Sequence, residues 1–246
     1  MKNIVVYGAT SKIAHELTRL IAQNEECSFV LIGRNRERLD TICKDLKSRG
    51  AHFAELILCD FLNRESLKQT FKEALLILKE IDTLILAQGS LTDQLKANTD
   101  IDYAIDEFFL NFESMAIPAL LCAEYFEQQK KGQIIGISSV AGERGRKTIY
   151  MYGSAKSAFT SLMSGLRGRL APHNIHVMTV KPGLIETPMT SHLPKSPLFI
   201  GSMLAAKIIY KGMIQRKDII YVPFYWRFIM RIIKDLPEYI FKKLSI

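Results

Sequence analysis

Six short, almost continuously apolar runs punctuate the chain, and after each of the first five the apolar residues return only every three or four positions. The runs are "NIVVYGA", "SFVLIGR", "AELILCD", "IDTLILAQG", "GQIIGISS" and "IHVMTVKPG". A strand that is apolar at odd and even positions alike has no side to turn to water, so it must be covered on both faces. The stretches between, residues 13–23, 37–49, 64–78, 105–129 and 151–170, each carry an apolar stripe and predict the covering helices. Strand and helix in alternation predict a mainly parallel sheet. Right-handed crossovers make it doubly wound, with helices on both faces and ligands received at the C-terminal strand ends.

No repeat, low-complexity tract or linker divides the chain, so residues 1–220 predict one α/β domain and residues 221–246 a basic amphipathic helical appendage. With 48% apolar and 24% charged residues over 246 positions, the composition is that of a folded globule and excludes disorder. "MKNIVVYGAT" has too short an apolar run for a secretory signal, and no segment is long enough to span a bilayer. Cys27, Cys43, Cys59 and Cys122 form no CxxC pair and lie in or beside apolar sequence, which predicts reduced core thiols in a cytoplasmic protein. The five histidines do not cluster, and "HNIH" (His173, His176) lacks partners for a metal, so no metal site is predicted.

Charge alters the picture at one end. The formal net charge is +8, and residues 201–246 hold nine Lys and Arg against three Asp and Glu. In "WRFIMRIIKDL", Arg227, Arg231 and Lys234 recur at i, i+4 and i+7, while Phe228, Ile229, Ile232, Ile233 and Leu236 fall elsewhere around the helix. Cations beside bulky apolar groups predict contact with an anionic membrane surface, the alternative being a helix packed on the domain or on another subunit. Interleaved aliphatics and the lack of a recognition motif exclude nucleic acid as a partner.

The chemistry gathers at the strand ends. The first strand closes in "YGATSKIAHE", where Gly8 permits a tight turn and the amides from Thr10, Ser11, Lys12 and Ile13 onward open a helix able to face a pyrophosphate. Lys12 stands where a glycine is usual, and its ammonium is placed to meet the phosphate itself. After the second strand Arg34 replaces the acid that would bind a ribose 2′-hydroxyl, which favours NADP(H) over NAD(H). Asp60 is placed to accept from an adenine amine or to cap the next turn, and Ala87 and Gly89 leave room for backbone against a cofactor.

Two tyrosines stand in "IYMYGSAK", but only Tyr152 has a lysine, Lys156, one helical turn on; Tyr150 has Ser154. A cation on the same helix face predicts a lowered phenol pKa, and Ser139, at the end of the fifth strand, is placed to hold a carbonyl oxygen that Tyr152 protonates. Arg144, Arg146 and Lys147 in "AGERGRKT" flank this pocket as candidates for a substrate phosphate. Residues 187–203, with Pro188, Pro194 and Pro197, predict a pocket wall that orders on binding.

Taken together, "GATSKIA", Asp60, "AQG", Asn111 in "FLNFES", "ISSVAG", "YGSAK" and "KPGLIETPM" resemble the short-chain dehydrogenase/reductase family over nearly the whole chain. The resemblance implies a single Rossmann domain, NAD(P)(H)-dependent carbonyl or alcohol chemistry, a homo-oligomer, and a catalytic tetrad of Asn111, Ser139, Tyr152 and Lys156. Ser139, 13 residues before Tyr152, has the family's spacing where Ser138 does not. Lys156 would also hold the nicotinamide ribose, and Pro182, Gly183, Ile185 and Thr187 would meet the nicotinamide. Lys12 and Ala87 depart from the usual glycine and asparagine.

Within the family, "SSVAGERGRKTIYMYGSAKSAF" and "YVPFYWRFIMRIIKDLP" are similar to the reductases that serve polyprenyl-phosphoryl ribose 2′-epimerisation. That likeness implies a lipid-linked keto-pentose as substrate, a flavin oxidase as partner, and a place at the inner face of the membrane. The alternatives are a soluble ketone, 3-oxoacyl or steroid-like substrate, or a non-catalytic dinucleotide-binding scaffold.

Overall fold

The computed structural model describes residues 1–244. Its elements run β1 (Lys2–Tyr7), α1 (Lys12–Asn24), β2 (Cys27–Gly33), α2 (Arg36–Ser48), β3 (Phe53–Leu58), α3 (Arg64–Leu78) and β4 (Thr83–Leu86). Then come α4 (Gln94–Ala97), α5 (Ile101–Phe108), a π-helical turn (Phe109–Glu113), α6 (Ser114–Gln129), β5 (Gln133–Ile137), a 3-10 turn (Val140–Glu143) and α7 (Tyr150–Leu170). The chain ends through β6 (His176–Pro182), β7 (Ile185–Glu186), β8 (Ile200–Gly201), α8 (Ser202–Ile214), β9 (Ile219–Val222), α9 (Trp226–Asp235) and α10 (Glu238–Phe241).

Seven strands form one parallel sheet in the order β3-β2-β1-β4-β5-β6-β9, and β7 pairs with β8 in a small separate ribbon. The strand order reverses between β1 and β4, which opens a crevice at their C-terminal ends. Side chains of β1 and β2 alternate between two cores. Ile4, Val6, Phe29 and Leu31 face one core with Leu17 of α1, Leu46 of α2 and Ile209 of α8. Val5, Tyr7, Val30 and Ile32 face the other with Phe71 of α3, Phe126 of α6 and Phe159 of α7. Burying each such side chain stabilises the fold by roughly 1.5–3 kcal/mol, which is why runs apolar on both sides settle as interior strands.

Several helix starts are fixed by short polar side chains. Asn35 accepts from the Arg38 amide and opens α2, Asn63 accepts from Ser66 and opens α3, and Asp100 accepts from Tyr103 and opens α5. All four cysteines are free and buried. His176 is held in the interior by Gln133 and by the Lys217 carbonyl.

Two expectations need correcting. The single helix predicted over 105–129 is α5, the π-helical turn and α6 in succession. The C-terminal appendage set off at 221 begins too early, because residues 221 and 222 complete β9, the seventh strand of the sheet. Residues 187–203, the expected pocket wall, carry the 3-10 turn at Pro188–Thr190 and the two-residue β8. Among the described residues no helix is long and apolar enough to cross a membrane.

Candidate active site

The turn after β1 touches the turn after β4 through bare backbone. Gly8 has φ 73°, and a Cβ there would lie 2.4 Å from the Gln88 amide nitrogen, so only glycine fits. Ser11 makes no side-chain cap on α1, which leaves the first amides of that helix to a ligand. Thr10 and Ser11 are partly exposed at this turn, while Ile13 is buried beneath it. Lys12 does not point its charge at the turn: its ammonium pairs with Glu16 at 2.6 Å, one helical turn away. That ammonium is shared with a buried carboxylate on its own helix and stays partly exposed.

Arg34 follows β2, exposed and without a hydrogen bond or ion pair among the described residues. Asp60 accepts from the Leu62 amide at 3.0 Å, so it does cap a turn, and its exposed carboxylate keeps a second oxygen for a ligand. These groups line one end of the crevice that Gly8 opens, and they fit the adenosine end of a dinucleotide.

The end of β4 is bolted to α6 by a missing hydrogen bond. Pro118 lies inside α6 and has no N–H for the Ser114 carbonyl four residues back. The Gln88 side-chain amide supplies that donor at 2.8 Å. Next to Gln88, Gly89 has φ 147°, and a Cβ there would come within 2.6 Å of the Asn111 Oδ1 and 3.3 Å of the Lys156 Nζ. Gly89 therefore marks where Asn111 and Lys156 meet, with Ala87 partly buried just before it.

Asn111 sits in the π-helical turn, fully buried. Its Oδ1 accepts from the Ser90 amide at 3.2 Å, and its Nδ2 donates to the Glu107 carbonyl at 3.0 Å, which fixes the orientation of the side-chain amide. The Glu107 carboxylate in turn accepts from the Ser90 and Thr92 hydroxyls at 2.5 and 2.9 Å. An extra residue in a helical turn re-aims one side chain, a device common at functional sites.

Across the crevice, α7 presents Tyr152 and Lys156 on one face, both buried, with the Lys156 Nζ 5.8 Å from the centre of the Tyr152 ring. Lys156 donates to the Met115 sulfur at 3.3 Å, and burial pushes its pKa down to about 7. Ser139 and Tyr152 interact through their hydroxyls. Ser138 is otherwise engaged, bonded to the Lys156 carbonyl and to Thr160, so it anchors α7 to β5. Tyr150 lies outside, exposed, donating to Asn98 at 2.8 Å.

The expected lowering of the Tyr152 pKa is corrected. Burial raises it, opposed by the Ser139 hydroxyl and by the charge of Arg146 rather than that of Lys156. A phenol removed from water resists ionising, and Lys156 is too poorly solvated to hold a full charge against it.

The segment that carries Ser139 is anchored by a buried ion pair, in which Lys181 of β6 meets Glu143 at 2.6 Å and Tyr221 of β9 donates to the same carboxylate. Pro182, Gly183, Ile185 and Thr187 follow Lys181 around the crevice. Thr187 is tied back by a capping box with Thr190, Ile185 is buried, and a Cβ on Gly183 would overlap the Trp226 indole. Trp226 and Met230 of α9 are thus rooted beside the site, in a cluster with Val140.

Arg144, a candidate for substrate phosphate, is spent on the C-terminal segment. It donates to the Leu236 carbonyl at 2.6 Å, pairs with Glu238 at 2.9 Å and lies 3.7 Å from the centre of the Phe241 ring. Gln88, Glu107, Glu143, Lys181 and Trp226 were not anticipated from the sequence. Lys181 was legible as a charge inside an apolar strand run, and Gln88 with Pro118 as a donor and a missing N–H; nothing local marks Glu107.

The arrangement brings a hydroxyl, a phenol, an amine and a carboxamide together at the end of a parallel sheet, beside a turn shaped for a dinucleotide. Residues 2–197 match the family model described as short chain dehydrogenase. The chain is 26% identical over 246 residues to an uncharacterized oxidoreductase of Mycobacterium tuberculosis, covering 98% of this chain and 96% of that one. It is 28% identical over 197 residues to carbonyl reductase family member 4 of Xenopus laevis, covering 80% and 81%. Among solved structures, a short-chain dehydrogenase from Sphingobium yanoikuyae in complex with NADPH superposes with a TM-score of 0.79 at 20% identity, covering 97% of each chain. Sheet order, crevice and family match agree: the chain belongs to the short chain dehydrogenase family.

Proposed function

We propose that the protein is an NADP(H)-dependent carbonyl reductase or alcohol dehydrogenase, with NAD(H) the weaker alternative cofactor. The meeting of Tyr152, Ser139, Lys156 and Asn111 beside Gly89 carries this reading. The cofactor supplies hydride chemistry. Gly8, Thr10, Ser11 and Ile13 would hold its pyrophosphate end, Arg34 and Asp60 its adenosine, and Lys156, Pro182, Gly183, Ile185 and Thr187 its nicotinamide end. The NADPH-bound Sphingobium relative supports the cofactor class, and the unpartnered Arg34 supports the phosphorylated form.

Ser139 anchors the carbonyl oxygen and Tyr152 protonates it. With its pKa raised by burial, Tyr152 keeps its proton at neutral pH and stands as a loaded acid for reduction. Lys156, its pKa pushed down by burial to about 7, can exchange a proton with the phenol, and Asn111 supports a water relay behind it. Purified protein should oxidise NADPH with a carbonyl substrate. Tyr152→Phe should lose about 10²–10⁴ in kcat while binding NADPH normally; retained turnover would remove Tyr152 from its role.

A lipid-linked substrate, such as the keto-pentose on a polyprenyl phosphate with its flavin oxidase partner, is favoured by one surface. Phe224, Phe228 and Ile232 are 72%, 60% and 67% exposed at i, i+4 and i+8, beside exposed Arg227, Arg231 and Lys234. Such a face suits an anionic membrane. The same helix packs through Trp226 on Gly183, so a membrane-held substrate would arrive beside the crevice.

A further inference from the structure

Three cations lie in the loop between Ser139 and Tyr152, and their fates differ. Arg144 is consumed by the C-terminal segment, and Glu143, the nearest carboxylate in the chain, is consumed by Lys181 and Tyr221. Lys147 is exposed. Arg146 is left without a partner: its Nε is fully buried with no hydrogen bond, and it makes no ion pair among the described residues. The ionisable group that acts on it is the Tyr152 phenol. That phenol is neutral at physiological pH and supplies no countercharge.

A guanidinium does not shed its proton, so a buried edge of it stays charged and unsatisfied until an acceptor arrives. Its planar fork matches the two oxygens of a carboxylate or phosphate. We propose that Arg146 is the anion-recognising residue of the substrate site, receiving a carboxylate or phosphate carried by the carbonyl compound beside Ser139 and Tyr152. The carbonyl in that statement rests on the reductase reading; the anion site does not. The substrate class narrows to anionic carbonyl compounds, and Arg146 becomes the residue that selects them.

The test is calorimetric titration of the full chain, saturated with NADPH so that the dinucleotide's own phosphate contacts are filled. Inorganic phosphate and acetate are the probes, each titrated against wild type, Arg146→Ala, Arg146→Lys and, as a control, Lys72→Ala on the exposed face of α3. One saturable anion site is expected, weakened at least about tenfold in Arg146→Ala, partly restored in Arg146→Lys and unaltered in Lys72→Ala. Tighter phosphate assigns a phosphorylated substrate, and tighter acetate a carboxylated one. No saturable site in the wild type, or equal affinity in Arg146→Ala with NADPH binding intact, overturns the inference.

Turnover gives a second readout with 4-oxopentanoate and its methyl ester. Arg146→Ala should raise KM for the acid alone; an equal loss on both would make Arg146 an aid to Tyr152 and overturn the anion role. Failure of the wild type to bind NADPH would count against the reductase reading, and phosphate titration of the free chain would still decide the fate of Arg146.

Discussion

Burial in the fold strips the Lys156 ammonium of the hydration that keeps an ordinary lysine charged, and its pKa falls from 10.5 to about 7. The sign of the stability effect follows. Below pH 7 lysine is protonated in folded and unfolded chain alike, and the folded state bears the full cost of a buried charge. Between about 7 and 10.5 the unfolded state binds the extra proton, so stability rises with pH across that window. Lys156→Met should therefore raise the melting temperature at pH 6, with the gain shrinking toward pH 10, as thermal scans across pH would show. A gain that grew with pH would contradict the assignment. At the other end of the crevice, Arg34→Ala should weaken NADPH binding about tenfold or more and leave NADH nearly untouched, because only the former offers a 2′-phosphate to a guanidinium. Equal losses for the two cofactors in fluorescence titrations would move that recognition elsewhere, with Arg36 and Arg38 the next exposed candidates.

Between elements, the junction of β4 with α6 shows what local pattern cannot report. Gln88 donates to the Ser114 carbonyl that Pro118 leaves without an intrahelical partner. Gln88→Leu should cost about 1–3 kcal/mol by stranding that buried carbonyl. Adding Pro118→Ala should recover most of it, since an alanine there brings back the N–H; a denaturant double-mutant cycle reads the coupling directly. Additive effects would show that the two residues are independent. The strands and the Tyr152–Lys156 helix were legible because two-sided burial and one-turn spacing are written in neighbouring residues. The π-helical turn at Asn111 was not, because the apolar pattern runs through it unbroken and the extra residue is accommodated by contacts with Ser90, distant in sequence. The fate of Arg144 was hidden likewise: its partners lie about ninety residues away, on a segment whose position only the folded chain defines. β9 escaped notice because "IIYV" is four residues long and follows the charged "QRKD".

At the scale of the molecule, the proposed membrane contact would draw on both the +8 charge and the exposed apolar stripe of α9. Trp226 and Met230 root the helix, so truncating the chain before Trp226 would open a core cluster, whereas Phe228 and Ile232 are mostly exposed and can be changed with that cluster intact. Phe228→Ser with Ile232→Ser should cut flotation with vesicles containing anionic lipid by at least about tenfold, and added salt should weaken the wild type as well. Flotation unchanged by either treatment would place the membrane contact elsewhere or remove it. Substrate delivery, anion recognition and proton transfer would then meet at one crevice, whose working depends on Tyr152 standing beside a hydride donor. The most direct test is reduction of a carbonyl compound with NADPH carrying deuterium at both C4 positions, followed by mass spectrometry of the alcohol. One deuterium on the carbinol carbon, with formation of that product slowed at least about a hundredfold in Tyr152→Phe at unchanged NADPH affinity, is the predicted result. Labelled alcohol formed as fast by Tyr152→Phe as by the wild type, or alcohol without label, would contradict the account.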